Sequence, residues 1–212
     1  MADYKDVKYN VDYGDTSGAG GLIRLATAHQ AQTDGDDGAS SIDFTSGIDS
    51  TYDVYYFEMS GMIPHSTAQF EFQVDTGTNT NYNITNTSMV LSWYHGHDGA
   101  AGAGGHGGPN DDDTNFIKIG PPQKGSGDPG DFQTRGAQGG YLYLFNPSST
   151  TFEKHWITKM SGTGAAGATQ YVEDYESAGY FQTTTAITRV RFRYSGGDKI
   201  DAGRITMFGL VK

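Results

Sequence analysis

Thr185-Ala-Ile-Thr-Arg-Val-Arg-Phe-Arg-Tyr-Ser-Gly-Gly-Asp-Lys-Ile-Asp-Ala-Gly-Arg-Ile-Thr-Met-Phe-Gly-Leu-Val-Lys212 carries the pattern that decides the fold class. From Arg189 the side chains alternate, with Val190, Phe192 and Tyr194 on one face and Arg189, Arg191 and Arg193 on the other. A period of two is what a half-buried antiparallel strand requires, because successive Cβ atoms point to opposite faces. After Gly196-Gly197 the chain resumes with Ile205, Met207, Phe208 and Leu210. The stretch therefore predicts two strands joined by a glycine turn, with the C-terminus pinned by the sheet.

The same spacing recurs upstream. Ala68-Gln-Phe-Glu-Phe-Gln-Val74 alternates without a fault, and Leu22–Thr27, Ser41–Phe44, Ser88–Tyr94 and Asn115–Ile119 read as further strands. Tyr52–Met59 is apolar on both faces and predicts a central strand covered on two sides. Tyr141–Phe145, the turn Asn146–Ser149 and Phe152–Ile157 form the clearest hairpin. Residues 33–38 read as a turn, 75–87 as a Thr/Asn-rich loop, and the stretches after Tyr94 and after Pro121-Pro122 as long glycine-rich loops. Nowhere do apolar residues recur at helical spacing, and no internal repeat points to a propeller or solenoid. The expectation is an all-β protein, an antiparallel two-sheet sandwich of the jelly-roll kind. Residues 1–20 would be an N-terminal arm and residues 21–212 a single domain.

Composition narrows the function classes. The 212 residues include 31 glycines and 13% aromatics, a content suited to short strands and tight turns. There is no cysteine, which excludes a disulfide scaffold and thiolate metal sites and fits assembly in a reducing cytoplasm. A net charge of −11 disfavours nucleic acid and anionic membranes as partners. No run approaches the roughly 18 apolar residues of a membrane span, and Met1-Ala-Asp-Tyr-Lys-Asp6 lacks the apolar core of a signal peptide.

Ile200-Asp-Ala-Gly-Arg-Ile-Thr-Met-Phe-Gly-Leu210 and three further pieces carry a resemblance. The pieces are Ile48-Asp-Ser-Thr-Tyr-Asp-Val-Tyr-Tyr-Phe-Glu-Met59, Tyr141-Leu-Tyr-Leu-Phe-Asn-Pro-Ser-Ser-Thr-Thr-Phe-Glu-Lys-His155 and Ala178-Gly-Tyr-Phe-Gln-Thr-Thr-Thr-Ala186. With them the chain after residue 40 resembles virion structural proteins of marine bacteriophages, of the cyanophage and pelagiphage kind. The resemblance implies a non-enzymatic protein on the particle exterior, either a capsid-decorating knob or a tail-fibre-like subunit. It would be assembled in the host cytoplasm, form a homo-oligomer (a trimer is favoured), and dock on capsid or tail proteins, with host surface glycans as a further contact.

Candidate chemistry is sparse. His95 and His97 in Trp93-Tyr-His-Gly-His-Asp98, together with His106, suit zinc, nickel or iron, and a trimer would bring six imidazoles together, similar to the iron sites of some phage fibre tips. The competing reading is a surface loop of solvated histidines. Asp34 and Asp36 hint at a structural calcium ion, although no glutamate closes the loop as an EF-hand needs. No other cofactor is indicated. Tyr171, Tyr175, Tyr180 and Phe181 are candidates for exposed aromatics that stack on a glycan or fill a partner's pocket, which would make the chain a lectin-like module. Arg189, Arg191 and Arg193 form the one basic stripe, read as a solvated or partner-facing strand surface. Asp53 with Glu58, or Glu71 with Glu173, are the carboxylate pairs that a polysaccharide hydrolase would need. No nucleophile elbow, phosphate loop or dinucleotide fingerprint is present.

Overall fold

The computed structural model describes residues 21–31, 38–96, 102–107, 116–123, 137–166 and 169–211, so the expected arm at residues 1–20 and most of the turn at 33–38 lie outside it. Among the described residues the chain forms twelve strands: β1 (Leu22–Gln30), β2 (Ile42–Phe44), β3 (Val54–Pro64), β4 (Ala68–Thr76), β5 (Asn86–Gly96), β6 (Ala103–Gly107), β7 (Ile117–Gln123), β8 (Gln138–Phe145), β9 (Lys154–Ala166), β10 (Thr169–Phe181), β11 (Ile187–Tyr194) and β12 (Ile200–Leu210). A single 3-10 turn, Ser195–Gly197, joins the last two. No helix among them is long and apolar enough to cross a membrane.

The strands make two antiparallel sheets. The larger runs β1-β12-β3-β8-β9-β10-β5-β6 and the smaller β2-β11-β4-β7. Setting aside β5, β6, β9 and β10, the chain alternates between the sheets at every step but one, β4 to β7 within the smaller sheet, giving 1-12-3-8 over 2-11-4-7. That is the winding of a jelly roll, in which paired Greek keys place the first and last strands side by side. The two remaining hairpins, β5–β6 and β9–β10, are insertions that extend one edge of the larger sheet.

The alternation read in the closing stretch fixes the register. Val190, Phe192 and Tyr194 of β11 are buried, and Val190 and Phe192 lie opposite Phe44 and Ile42 of β2 on one side, Val74 and Phe72 of β4 on the other. Rings from both sheets then meet in one continuous core. Phe57 of β3 lies 5.4 Å from both Phe44 and Phe192, and Phe72 packs edge-on against Trp156 of β9 at 5.0 Å. Each such pair adds about 0.5–1.5 kcal/mol beyond the burial of its area.

Several expectations need correction. Ala103–Gly107 was expected to be loop but is the edge strand β6. Residues 169–181, expected to hold aromatics between glycine-rich stretches, form one long strand, β10. The strand expected at Asn115–Ile119 runs on through Pro121-Pro122 to Gln123. It can do so because β7 is the edge of the smaller sheet, where a missing N–H costs no ladder bond. The outer face of β3 is not covered by a second layer: Tyr56 is half-buried beneath neighbouring rings and Glu58 is exposed.

Candidate functional site

The β5, β9 and β10 insertions give the larger sheet a broad outward face. Cross-strand register sets Met89 (β5), Ala178 (β10), Ile157 (β9), Tyr143 (β8), Tyr56 (β3) and Phe208 (β12) in a single row. The next row runs Leu91, Glu176, Lys159, Tyr141, Glu58 and Thr206. Tyr56 anchors the ring cluster, 4.9 Å from Tyr143 and 5.8 Å from Phe208. Met89, Trp93 and Val172 are each more than half exposed, at 54%, 56% and 54%, and Ile157 is 43% exposed. Scattered exposed apolar residues are ordinary, but a contiguous set on one sheet face marks a contact surface.

The small side chain of Ala178 between Met89 and Ile157 leaves a groove of about 270 Å³, lined also by Leu91, Tyr141, Lys159 and Glu176. At its rim Lys159 donates to Glu176 Oε1 at 2.7 Å and lies 3.1 Å from Asp174 Oδ2. These hydrogen bonds, Glu176 first, hold the ammonium well above its ordinary pKa. One cation shared by two carboxylates leaves the rim with a net negative charge.

The arginine stripe engages neighbours from the smaller sheet and the loops beside it. Arg191 grips Asp43 of β2 bidentately, Nε to Oδ1 at 2.9 Å and Nη2 to Oδ2 at 2.7 Å, with its guanidinium 3.9 Å from the Tyr82 ring centre. Arg193 donates to the buried Glu71 of β4 and stacks on Phe116. Arg189 donates to the Gly77 carbonyl.

The four candidate aromatics separate. Phe181 is a core residue at 1% exposure and Tyr175 is also buried, its phenol pushed up to about 12 by desolvation, so neither is an exposed platform. Tyr180 sits half-buried on the outward face beside His155. Tyr171 lies on the inward face, its ring 5.3 Å from that of Tyr94. The carboxylate pairs do not assemble either. Glu71 is bound to Arg193 on the outer side of the smaller sheet, whereas Glu173 points inward from the larger one. Glu58 faces outward while Asp53 precedes the strand with the parity of the inward Tyr55.

Of the histidines, His95 is exposed on the outward side of β5. His106 stands opposite Leu91 in the β5–β6 register, four residues along the strand from His95, roughly 13 Å. His97, Asp34 and Asp36 lie outside the described residues, and among those described no three His, Cys, Asp or Glu side chains cluster as metal ligands would.

A second locality was not found in the sequence. β7 packs chiefly over β9 and also meets β10 and β5, and Glu173, Tyr175 and Ser177 on the inward face of β10 are buried. Glu173 of β10 lies there between Tyr94 of β5 and Gly162 of β9. Burial raises its carboxyl pKa, and a hydrogen bond with Ser92 partly offsets this. Gln123, at the end of β7, is fully buried, and among the described residues neither its amide nitrogen nor its oxygen has a partner. A Cβ built on Gly162 would fall 2.6 Å from that nitrogen, so only glycine leaves room for the amide beside Glu173. The signal for this locality lay in the inward parity of Tyr94, Tyr171 and Glu173, which becomes readable once β10 is known to be a strand.

Comparison of the chain with family models, curated proteins and solved structures gave no match.

Proposed function

We propose that this chain is a non-enzymatic structural subunit on the exterior of a bacteriophage particle, working as a homo-oligomer docked on capsid or tail proteins. The observation that carries the reading is the outward face of the larger sheet. Its exposed Met89, Trp93, Ile157 and Val172 and the Tyr56 ring cluster form an apolar surface that a working partner would cover. The likeness of Ile200–Leu210 and the other quoted pieces to marine-phage virion proteins supplies the particle. A jelly roll serves this role well, since two stacked sheets around an aromatic core are stiff and leave whole faces for assembly.

Mass spectrometry and imaging of particles purified from infected host cultures test the reading. The chain is expected among the virion proteins, at a copy number comparable to the shell subunits if it decorates the capsid, or at low copy confined to the tail if it belongs to a fibre. Its absence from purified particles, with the chain present in the lysate, would overturn the proposal.

A further inference from the structure

We infer that the outward face of the larger sheet pairs with the same face of a second copy. The two stack about a two-fold axis parallel to the strands, between β3 and β8, and Arg24 of each copy enters the groove beside Ala178 of the other. The pairing rests on the reading of this face as a contact surface and names its occupant.

The run β1-β12-β3-β8-β9-β10 has its midline between β3 and β8. A two-fold axis along that line lays β1 over β10, β12 over β9 and β3 over β8, and stacked sheets accept strand directions within about 30° of each other. The register then decides what meets what. Arg24, Phe208, Tyr56, Tyr143, Ile157 and Ala178 share one row. Across the axis Tyr56 meets Tyr143, Phe208 meets Ile157 and Arg24 meets Ala178. One row along, Val54 meets Phe145, and Leu22, 47% exposed, meets Tyr180.

Charge has the same antisymmetry. Exposed Arg24, His29 and Arg204 stand at the β1–β12 end, while Glu176 and Asp174, with side chains 46% and 38% exposed, stand at the β10 end. The axis carries each basic end over the other copy's acidic end, which lets a chain of net charge −11 meet its own kind. The groove of about 270 Å³ between Met89, Ile157 and Ala178 takes the aliphatic stem of Arg24 and sets its guanidinium beside Glu176. Six strands at roughly 4.8 Å and four rows at roughly 6.8 Å give about 700–800 Å² per copy, the size of a stable interface. Met89 and Trp93 of β5 lie beyond the paired strands and stay open to a docking partner.

Sedimentation velocity of the full chain at about 100 µM, above the micromolar ceiling for interfaces of this size, is expected to show a dimer. Ile157→Asp sets a carboxylate against Phe208 and should weaken the dimer at least about 100-fold; Arg24→Glu, which puts like charges together at both ends, at least about 10-fold. Ile157 is 43% exposed, so its variant should keep the parent's circular dichroism spectrum. The chain has no cysteine, so Leu22→Cys combined with Tyr180→Cys can be probed with a short bis-maleimide. The double variant should crosslink into dimers and neither single variant should, because like positions in the pair lie five strand spacings apart, roughly 24 Å. A monomer or a trimer in sedimentation overturns the inference, as do a dimer undiminished in both Ile157→Asp and Arg24→Glu, and single variants that crosslink as well as the double. A chain found in purified particles but monomeric when free sinks the pairing alone, whereas a dimer missing from particles sinks only the virion reading.

Discussion

Glu173 sets the sign of a pH effect at the scale of one residue. Its carboxyl is held above the ordinary value of 4.5 mainly by burial, so the folded chain binds that proton more tightly than the unfolded one. The stability this contributes is complete below the unfolded pKa and is lost as pH rises through the folded value, leaving an unfavourable buried charge at neutrality. Glu173→Gln is therefore expected to be more stable than the parent chain in urea melts near neutral pH, with the gain shrinking toward about pH 4. A variant less stable at neutrality would show that the ionised carboxylate is held by stronger partners than Ser92. The arginines teach a related lesson. Their shared face was readable from Arg189-Val-Arg-Phe-Arg193, but Asp43, Glu71, Tyr82 and Phe116, which occupy Arg191 and Arg193, come from elements more than seventy residues upstream. Periodicity reports a face, not what neighbouring strands bring to it.

Among elements, those with clean alternation were legible: β4, β8, β11 and β12 fall where Ala68–Val74, Tyr141–Phe145 and the closing stretch placed them. β6 and β10 were not. Ala103–Gly107 is almost all glycine and alanine, and among the described strands it pairs with β5. β10 buries Glu173, Tyr175 and Ser177 on its inward face, so its pattern never read as apolar and polar in turn. Because both inserted hairpins rest on these two strands, the extended sheet and its docking face stayed hidden. The crossover from β10 to β11 is held by Lys154, fully buried at the start of β9, whose ammonium donates to the carbonyls of Thr183 at 3.0 Å and Thr185 at 2.8 Å. Lys154→Met keeps the volume and removes a costly buried charge, but orphans two carbonyls at about 1–3 kcal/mol each where water does not replace the donor. Both carbonyls belong to a partly exposed segment, so a net loss near 1 kcal/mol and a Tm lower by roughly 2–4 °C are expected. A calorimetric Tm equal to or above that of the parent would mean the clamp contributes nothing.

For the whole molecule, the jelly-roll winding closes one aromatic core, and the two insertions widen one sheet to eight strands against four in the other. The widened sheet has two sides with different chemistry. Outward, Met89 and Ile157 on one row and Trp93 and Val172 further along the strands are apolar, with the Lys159 cluster lying between them. Inward, the Tyr94 and Tyr171 rings meet at 5.3 Å beside the buried Glu173. A chain of net charge −11 repels its own copies at long range, so contacts through the outward field need short-range apolar burial to hold. Hydroxyl-radical footprinting compares that field in the free chain and in purified particles, with the buried Met62, Met160 and Met207 as internal controls. Met89 and Trp93 are expected to oxidise readily in the free chain and to be protected several-fold in the particle. Equal oxidation of both residues in the two states would contradict assembly through this face.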